Sequence, residues 1–197
     1  MASLKLPFLN KSEGLLQKAL HEVVAPFFCQ EGPLRLAVAF FCGMDSSVLL
    51  HAAATSFPSS LLVLHIDHGI NDASVSWERF CARTAALYGA EFFSRRLEGL
   101  QPGMPNLEEQ ARNARWAALL QMARQHQASL LLTAHHANDQ AETVLLNLLR
   151  GTGLAGIGMS TCSQREGIPI LRPWLNFPRE QLAAYAQHYA LQWVEDP

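Results

Sequence analysis

A doubly wound α/β fold, with a mostly parallel sheet of about five strands and helices on both faces, follows from three features of this chain. Short apolar runs at 34–40, 61–66 and 129–134 have strand length and little internal polarity, as expected of strands buried on both faces. Stretches of ten or more residues with helical character separate them, and parallel neighbours need such crossovers. Gly and Pro punctuate the boundaries, as at Gly32-Pro33 and Phe57-Pro58.

Leu16, Leu20, Val23 and Phe27 recur at spacings of four, three and four, which describes the apolar face of an opening helix. Residues 1–33 are therefore read as a helix and lead-in, and 34–197 as the α/β domain. Strand 34–40 is followed by a helix over 45–56, and strand 61–66 by a helix over 74–88, with Gly89 at its C-terminal end. A weaker strand, 91–97, leads through the loop 99–105 into a long helix. Asn106 is its expected N-cap, and Glu109 completes a variant capping box. Strand 129–134 and a helix over 139–150 come next, then a glycine-rich loop at 151–156, a short strand at 168–171 and a helix opening near Pro178. No internal repeat or low-complexity tract is present.

Hydrophobic residues make up 49% and charged residues 16% of the 197, enough for a sizeable core and too apolar for a disordered chain. The net charge of -2 excludes a module that coats nucleic acid by bulk positive charge, though not a local basic patch. Residues 1–10 lack the continuous apolar segment of a secretory signal, and no apolar run is long enough to span a membrane. Cys29, Cys42, Cys81 and Cys162 contain no CxxC pair, which argues against a zinc ribbon. A disulfide framework is not expected in a chain of this size, and a reducing, cytoplasmic compartment is the simplest reading.

Doubly wound sheets bind ligands beyond the carboxyl ends of their strands, so three loops are candidates. The first is Phe41-Cys42-Gly43-Met44-Asp45-Ser46-Ser47. A helix N-terminus there presents N–H groups to an anion, and Ser46 and Ser47 add hydroxyls. Asp45 would repel phosphate unless it holds Mg²⁺ or an activated nucleophile, and its plain alternative is an N-cap. The second loop, His65-Ile66-Asp67-His68-Gly69, suggests a metal by its paired histidines, but no further ligands are spaced to match. Gly69 supplies a turn that lets backbone approach a ligand. In the third, His135-His136-Ala137-Asn138-Asp139-Gln140-Ala141-Glu142-Thr143, Asp139 and Glu142 share a helix face and can grip a cation or amine together. An acidic first turn favoured by the helix dipole is the alternative. On the long helix Glu108, Arg112 and Arg115 form one stripe, either a solvated charged face or a phosphate contact through Arg112. Arg150, Arg165, Arg172 and Arg179 are either scattered surface charges or a patch for a nucleic-acid backbone.

These motifs, in order, resemble the N-type ATP pyrophosphatase (PP-loop) superfamily, and within it the bacterial tRNA(Ile)-lysidine synthetases. The resemblance runs over 34–197 and also takes in Ala111-Arg112-Asn113-Ala114-Arg115-Trp116, Arg150-Gly151-Thr152-Gly153, Arg172-Pro173 and Trp193-Val194-Glu195-Asp196-Pro197. It implies a ligase that uses ATP and Mg²⁺ to adenylate the C2 oxygen of the wobble cytidine of a minor isoleucine tRNA. The ε-amine of free L-lysine then displaces AMP to give lysidine. By the same resemblance, Phe41, Cys42, Gly43, Met44, Asp45, Ser46, Ser47, His65, His68 and Gly69 bind ATP. Asp45 acts at the reacting centre or, indirectly, on Mg²⁺, and Arg112 stabilises charge at the α-phosphate. Asp139 and Glu142 hold the lysine, while Arg115, His135, Arg150 and Arg172 contact tRNA or phosphate. Nothing in the sequence indicates a membrane partner or an oligomeric state.

The chain departs from the family pattern in its first loop, where Ser-Gly-Gly-x-Asp-Ser becomes Phe41-Cys42-Gly43-Met44-Asp45-Ser46. A hydroxyl is lost, a ring stands near the phosphate path, and a positive φ at Cys42 would cost about 1–2 kcal/mol. ATP binding is therefore expected to be weak or lost with the fold intact, and Phe41→Ser with Cys42→Gly to restore it. Asn138, where an aspartate is common, removes one acid beside the lysine site. Family members continue past the point matching Pro197 into further helical and C-terminal domains, so this chain alone is expected to bind tRNA poorly. Two other readings stay open: a PP-loop tRNA thiolase, for which no suitably paired cysteines are spaced, and a non-catalytic α/β binding module.

Overall fold

A computed structural model describes residues 11–28, 32–67, 74–99, 103–151 and 157–195. Its strands are β1 (Leu36–Ala39), β2 (Leu61–Asp67), β3 (Glu91–Arg96), β4 (Leu130–Leu132), β5 (Cys162–Arg165) and β6 (Ile168–Leu171). Its helices are α1 (Lys11–Val24), α2 (Met44–Ser56), α3 (Ser74–Leu87), α4 (Leu107–Gln125), α5 (Ala137–Leu149) and α6 (Arg179–His188). The strands form one sheet in the order β3-β2-β1-β4-β6-β5. All neighbours are parallel except β5, which runs antiparallel to β6 at the edge.

The two-residue period of the strands divides the core. Leu36, Val38 and Phe40 point into one apolar cluster with α1, α2, α3 and α6. Ala37 and Ala39 point into the other, which α4 covers with Trp116, Leu119, Leu120 and Met122. Helices thus lie on both faces, as the doubly wound expectation requires. In α1, Leu16, Leu20 and Val24 are wholly buried, each contributing roughly 1.5–3 kcal/mol by removal from water. The chain leaves α1 in a 3-10 turn at Ala25–Phe27, so Val24 rather than Phe27 completes the buried face.

Two expectations need correction. A sixth strand, β5, was not anticipated; its residues Cys162, Gln164 and Arg165 are exposed, so no apolar alternation marks it. Asn106 precedes α4 in a left-handed conformation (φ 53°) and makes no side-chain cap bond, so the capping box does not form there. The capping box occurs instead at α5, where the N-cap His136 accepts from the Asp139 N–H and the Asp139 carboxylate accepts from the His136 N–H.

The chain orders β1, β2 and β3 outward to one side, then returns to place β4 and β6 on the other. Sheet order therefore reverses between β1 and β4, which opens a crevice beyond their carboxyl ends.

Candidate active site

A cleft of about 1030 Å³ lies in that crevice, large enough for a nucleotide with a second small substrate. The loop after β1 forms one wall through Phe41, Cys42, Gly43, Met44, Asp45 and Ser46. Gly43 is the N-cap of α2, no side chain caps that end, and the first-turn residues line the cleft, an arrangement that can receive an anion. A Cβ added to Gly43 would meet nothing within 4 Å. Asp45 is not the N-cap; it sits in the first turn. Its Oδ2 lies 3.5 Å from Arg179 Nε and 3.7 Å from His136 Nε2. Its Oδ1 is buried without a hydrogen-bond partner, and a lone anionic oxygen on a cleft wall fits a divalent cation.

The hydroxyls of Ser46 and Ser47 both donate to Gly43 O at 3.0 Å, which tightens the turn. Ser46 borders the cleft; Ser47 does not. Phe41 forms part of the wall beneath the Arg115 guanidinium, 5.3 Å from the ring centroid. The phenyl ring thus lines the space without filling it.

From α4, Glu108, Arg112 and Arg115 reach the cleft on one helix face. Burial, and then the charge of Arg112 beside it, lowers the pKa of Arg115, a sign that two cations converge without enough local counter-charge. From the β4 loop and α5 come His135, Asp139 and Glu142. His135 lies parallel to Trp116 with centroids 6.4 Å apart, and its Nδ1 is 2.9 Å from Thr133 Oγ1.

Burial, reinforced by Arg172, pushes the His135 pKa down to about 4. His135 is therefore neutral near pH 7 and offers a hydrogen bond, not a charge. Between about pH 6.5 and 4 the unfolded chain binds a proton at this site that the folded chain refuses. Stability contributed by His135 is thus complete above 6.5 and falls as the pH drops toward 4, by on the order of 3 kcal/mol at most. His135→Asn is expected to flatten this part of the pH–stability curve, as read by urea unfolding at pH 4.5 and 7. A slope unchanged from wild type would contradict it.

Among the described residues, the expected site residues His65, Arg150 and Arg172 fall outside the wall. Buried His65 holds Phe40 O through Nδ1 at 2.9 Å and supports the loop from behind. Arg172 is buried at the end of β6 and donates through one nitrogen to Ser160 O and Ser163 Oγ, both at 2.9 Å. It ties the β5 strand to the sheet through that nitrogen, while its buried Nε has no hydrogen-bond partner. Arg150 is exposed at the C-terminal end of α5, away from the cleft. His68 and Gly69 lie outside the described residues. Sequence reading missed the role of Arg179, grouped there with scattered surface charges; its contact with Asp45 spans 134 residues. It also missed that Cys42 is joined by a disulfide to Cys81 of α3, 39 residues away, so the expectation of unpaired cysteines is corrected for this pair. With His65 they form a buried group whose ligand-type atoms lie within 4.8 Å of one another, but sulfurs joined as a disulfide have no thiolate to give a metal.

A fold that gathers an uncapped helix N-terminus, two arginines and an acidic pair at its switch point is one built for nucleotide chemistry. The chain belongs to the PP-loop domain family, which it matches over residues 14–197. Among named proteins it is similar to the tRNA(Ile)-lysidine synthase of Ralstonia nicotianae, 45% identical over 190 residues that make up 93% of this chain and 41% of that protein. The tRNA(Ile)-lysidine synthase of Bordetella bronchiseptica is 43% identical over 173 residues, 84% of this chain and 50% of that one. The chain thus spans half or less of the length of these relatives. The U34-tRNA thiolase NcsA from Methanococcus maripaludis shares the fold with a TM-score of 0.79 at 13% identity, covering 94% of this chain and 67% of that one. The NH3-dependent NAD synthetase from Campylobacter jejuni does so with a TM-score of 0.64 at 14% identity, covering 92% and 75%. Among the described residues no helix is long and apolar enough to cross a membrane.

Proposed function

We propose that this chain carries the ATP-activating and lysine-accepting centre of a tRNA(Ile)-lysidine synthase. The observation that carries the reading is that a phosphate-type loop, Arg112 and the Asp139/Glu142 pair share one cleft. In the reaction, the C2 oxygen of a cytidine attacks the α-phosphorus of ATP and pyrophosphate leaves. The carbonyl oxygen, a poor leaving group, is thereby converted to one that departs as AMP. The lysine ε-amine then attacks C2, loses a proton, and AMP departs.

The first turn of α2 and Gly43 suit the phosphates, and Arg112 suits the α-phosphate, where charge builds in the transition state. Asp45 Oδ1 suits Mg²⁺, which when bound would neutralise phosphate charge. Neutral His135 and cationic Arg115 flank the same space, and exposed Arg150 suits a tRNA phosphate outside it. The names of the relatives supply the tRNA and the reaction class. The thiolase reading is weaker: Cys162 is the free cysteine among the described residues, it is exposed, and it is not part of the cleft wall.

The test is AMP release from ATP that depends on both lysine and isoleucine tRNA, with this sequence placed in its relatives' full-length context if the chain alone holds tRNA too weakly. AMP release with neither dependence would sink the reading, and release that needs a sulfur donor instead of lysine would favour the thiolase. Arg112→Ala is expected to weaken ATP binding by about 10–100-fold, the worth of a charge-assisted contact. Calorimetric titration checks this, and an unchanged affinity would remove Arg112 from the phosphate site.

A further inference from the structure

The cleft loop carries a covalent feature that the proposed reaction does not use. Cys42, the second residue of that loop, has φ +64°, a left-handed state that an L residue with a Cβ enters only at a cost. Two contacts hold it there. Its sulfur is joined to Cys81 in the middle of α3. Its carbonyl accepts the Val194 N–H at 2.9 Å. Its Sγ lies 3.3 Å from Trp77 O, an acceptor ready for an S–H. Either redox state of this sulfur therefore has a partner. Behind the loop, a ring nitrogen of buried His65 is within 4.8 Å of both sulfurs. Because the Phe40 carbonyl can only accept, Nδ1 of His65 donates to it.

We propose that Cys42 and Cys81 are a reversible thiol–disulfide modification site, and that the disulfide holds the phosphate-binding loop in its nucleotide-ready shape. The proposal rests on the reading of this loop as the ATP site. The oxidant is a small disulfide of the glutathione class. The two protein thiols lose their S–H protons, their sulfurs join, and two electrons pass to the incoming disulfide, which leaves as two thiols. Both cysteines are buried, Cys42 in the loop that borders the cleft and Cys81 behind it on α3, so exchange requires the loop to open and starts at Cys42.

Reduction removes the tie that offsets the left-handed cost at Cys42, and the loop relaxes away from the shape that presents its amides. The penalty for a side chain in that backbone state corresponds to about a 5- to 30-fold change in population. By linkage, ATP that prefers the oxidised form stabilises the disulfide by the same factor. That factor corresponds to about 20–45 mV, with the midpoint shifted to more negative potential.

The experiment equilibrates the chain across glutathione buffers of graded ratio and quantifies the bond from the alkylated peptides that carry Cys42 and Cys81. ATP affinity is then measured by calorimetry on the fully oxidised and fully reduced protein. ATP is expected to bind the oxidised form about 5- to 30-fold more tightly. Cys81→Ser, which leaves the loop sequence intact, is expected to match reduced wild type at every ratio. If that variant does not fold, the two states of the wild-type chain decide the matter. Equal affinity in both states, tighter binding by the reduced form, or no disulfide at any ratio overturns the proposal. A redox-independent but measurable affinity leaves the ATP reading standing, whereas no binding in either state removes both.

Discussion

Trp174→Ala lowers the stability of the chain by about 3–5 kcal/mol, the range for deleting a large ring from a close-packed interior. Trp174 has no exposed surface and belongs to the cluster that holds Leu16, Leu20, Leu171, Leu182 and Tyr185. Its indole N–H donates to Leu16 O at 3.1 Å across 158 residues, which pins α1 to the end of β6. Alanine leaves both a cavity and a loosened α1, so urea unfolding should show a lower midpoint and hydrogen exchange in α1 should rise. Trp174→Phe keeps most of the packing and gives up the hydrogen bond, with an expected cost of about 1–2 kcal/mol. Leu149→Ala serves as the contrast. Leu149 is 76% exposed, and its truncation should change stability by no more than about 0.5 kcal/mol. A Trp174→Ala loss as small as that of Leu149→Ala would mean that α1 does not depend on this contact.

The parts of the fold that could be read from the sequence are those where burial leaves a local mark. Strands β1, β2 and β4 are buried along their whole length because helices cover both sides of the sheet, so each stands out as a short hydrophobic run, broken only at His65 and Asp67 near the end of β2. Their order along the chain implies the crossovers, and the crossovers place the ligand loops. That Asp45, Arg112, Asp139 and Glu142 share one cleft was legible for the same reason: they lie near the helix starts that a parallel sheet directs to one end.

What escaped the reading is nonlocal or lacks a periodic signal. β5 is polar and exposed, and it pairs through backbone groups that any sequence owns. The Cys42–Cys81 bond and the Arg179–Asp45 contact each need the fold to bring distant residues together. Arg172 shows the opposite failure: a basic residue in a family motif resembles a phosphate contact, but it is buried outside the cleft wall, where one nitrogen holds Ser160 O and Ser163 Oγ and Nε has no partner. The left-handed φ at Cys42, in contrast, was foreseeable in kind, since the family pattern has glycine there.

On the proposed reading of the Asp139/Glu142 pair, neutralising both is expected to weaken lysine binding by at least about 100-fold, the largest functional effect expected here. Each carboxylate paired with an ammonium contributes about 1.5–3 kcal/mol, or about 10–100-fold in affinity. The two residues do not have the same structural duties, and this separates binding from folding. Asp139 Oδ2 accepts the His136 N–H at 2.8 Å and so closes the capping box of α5. Asp139→Ala therefore loses lysine affinity and also about 1 kcal/mol of helix stability. Glu142 stands exposed one turn later on the cleft wall, so Glu142→Gln should reduce lysine affinity about 10–100-fold with an unchanged melting temperature. Asp139→Asn keeps an oxygen for the cap and should resemble Glu142→Gln in both readouts. Lysine titrations in the presence of ATP, repeated with norleucine, which has the chain without the amine charge, complete the comparison. Wild type should discriminate strongly between the two amino acids and the doubly neutralised variant should not; equal discrimination by both would place the lysine elsewhere in the cleft.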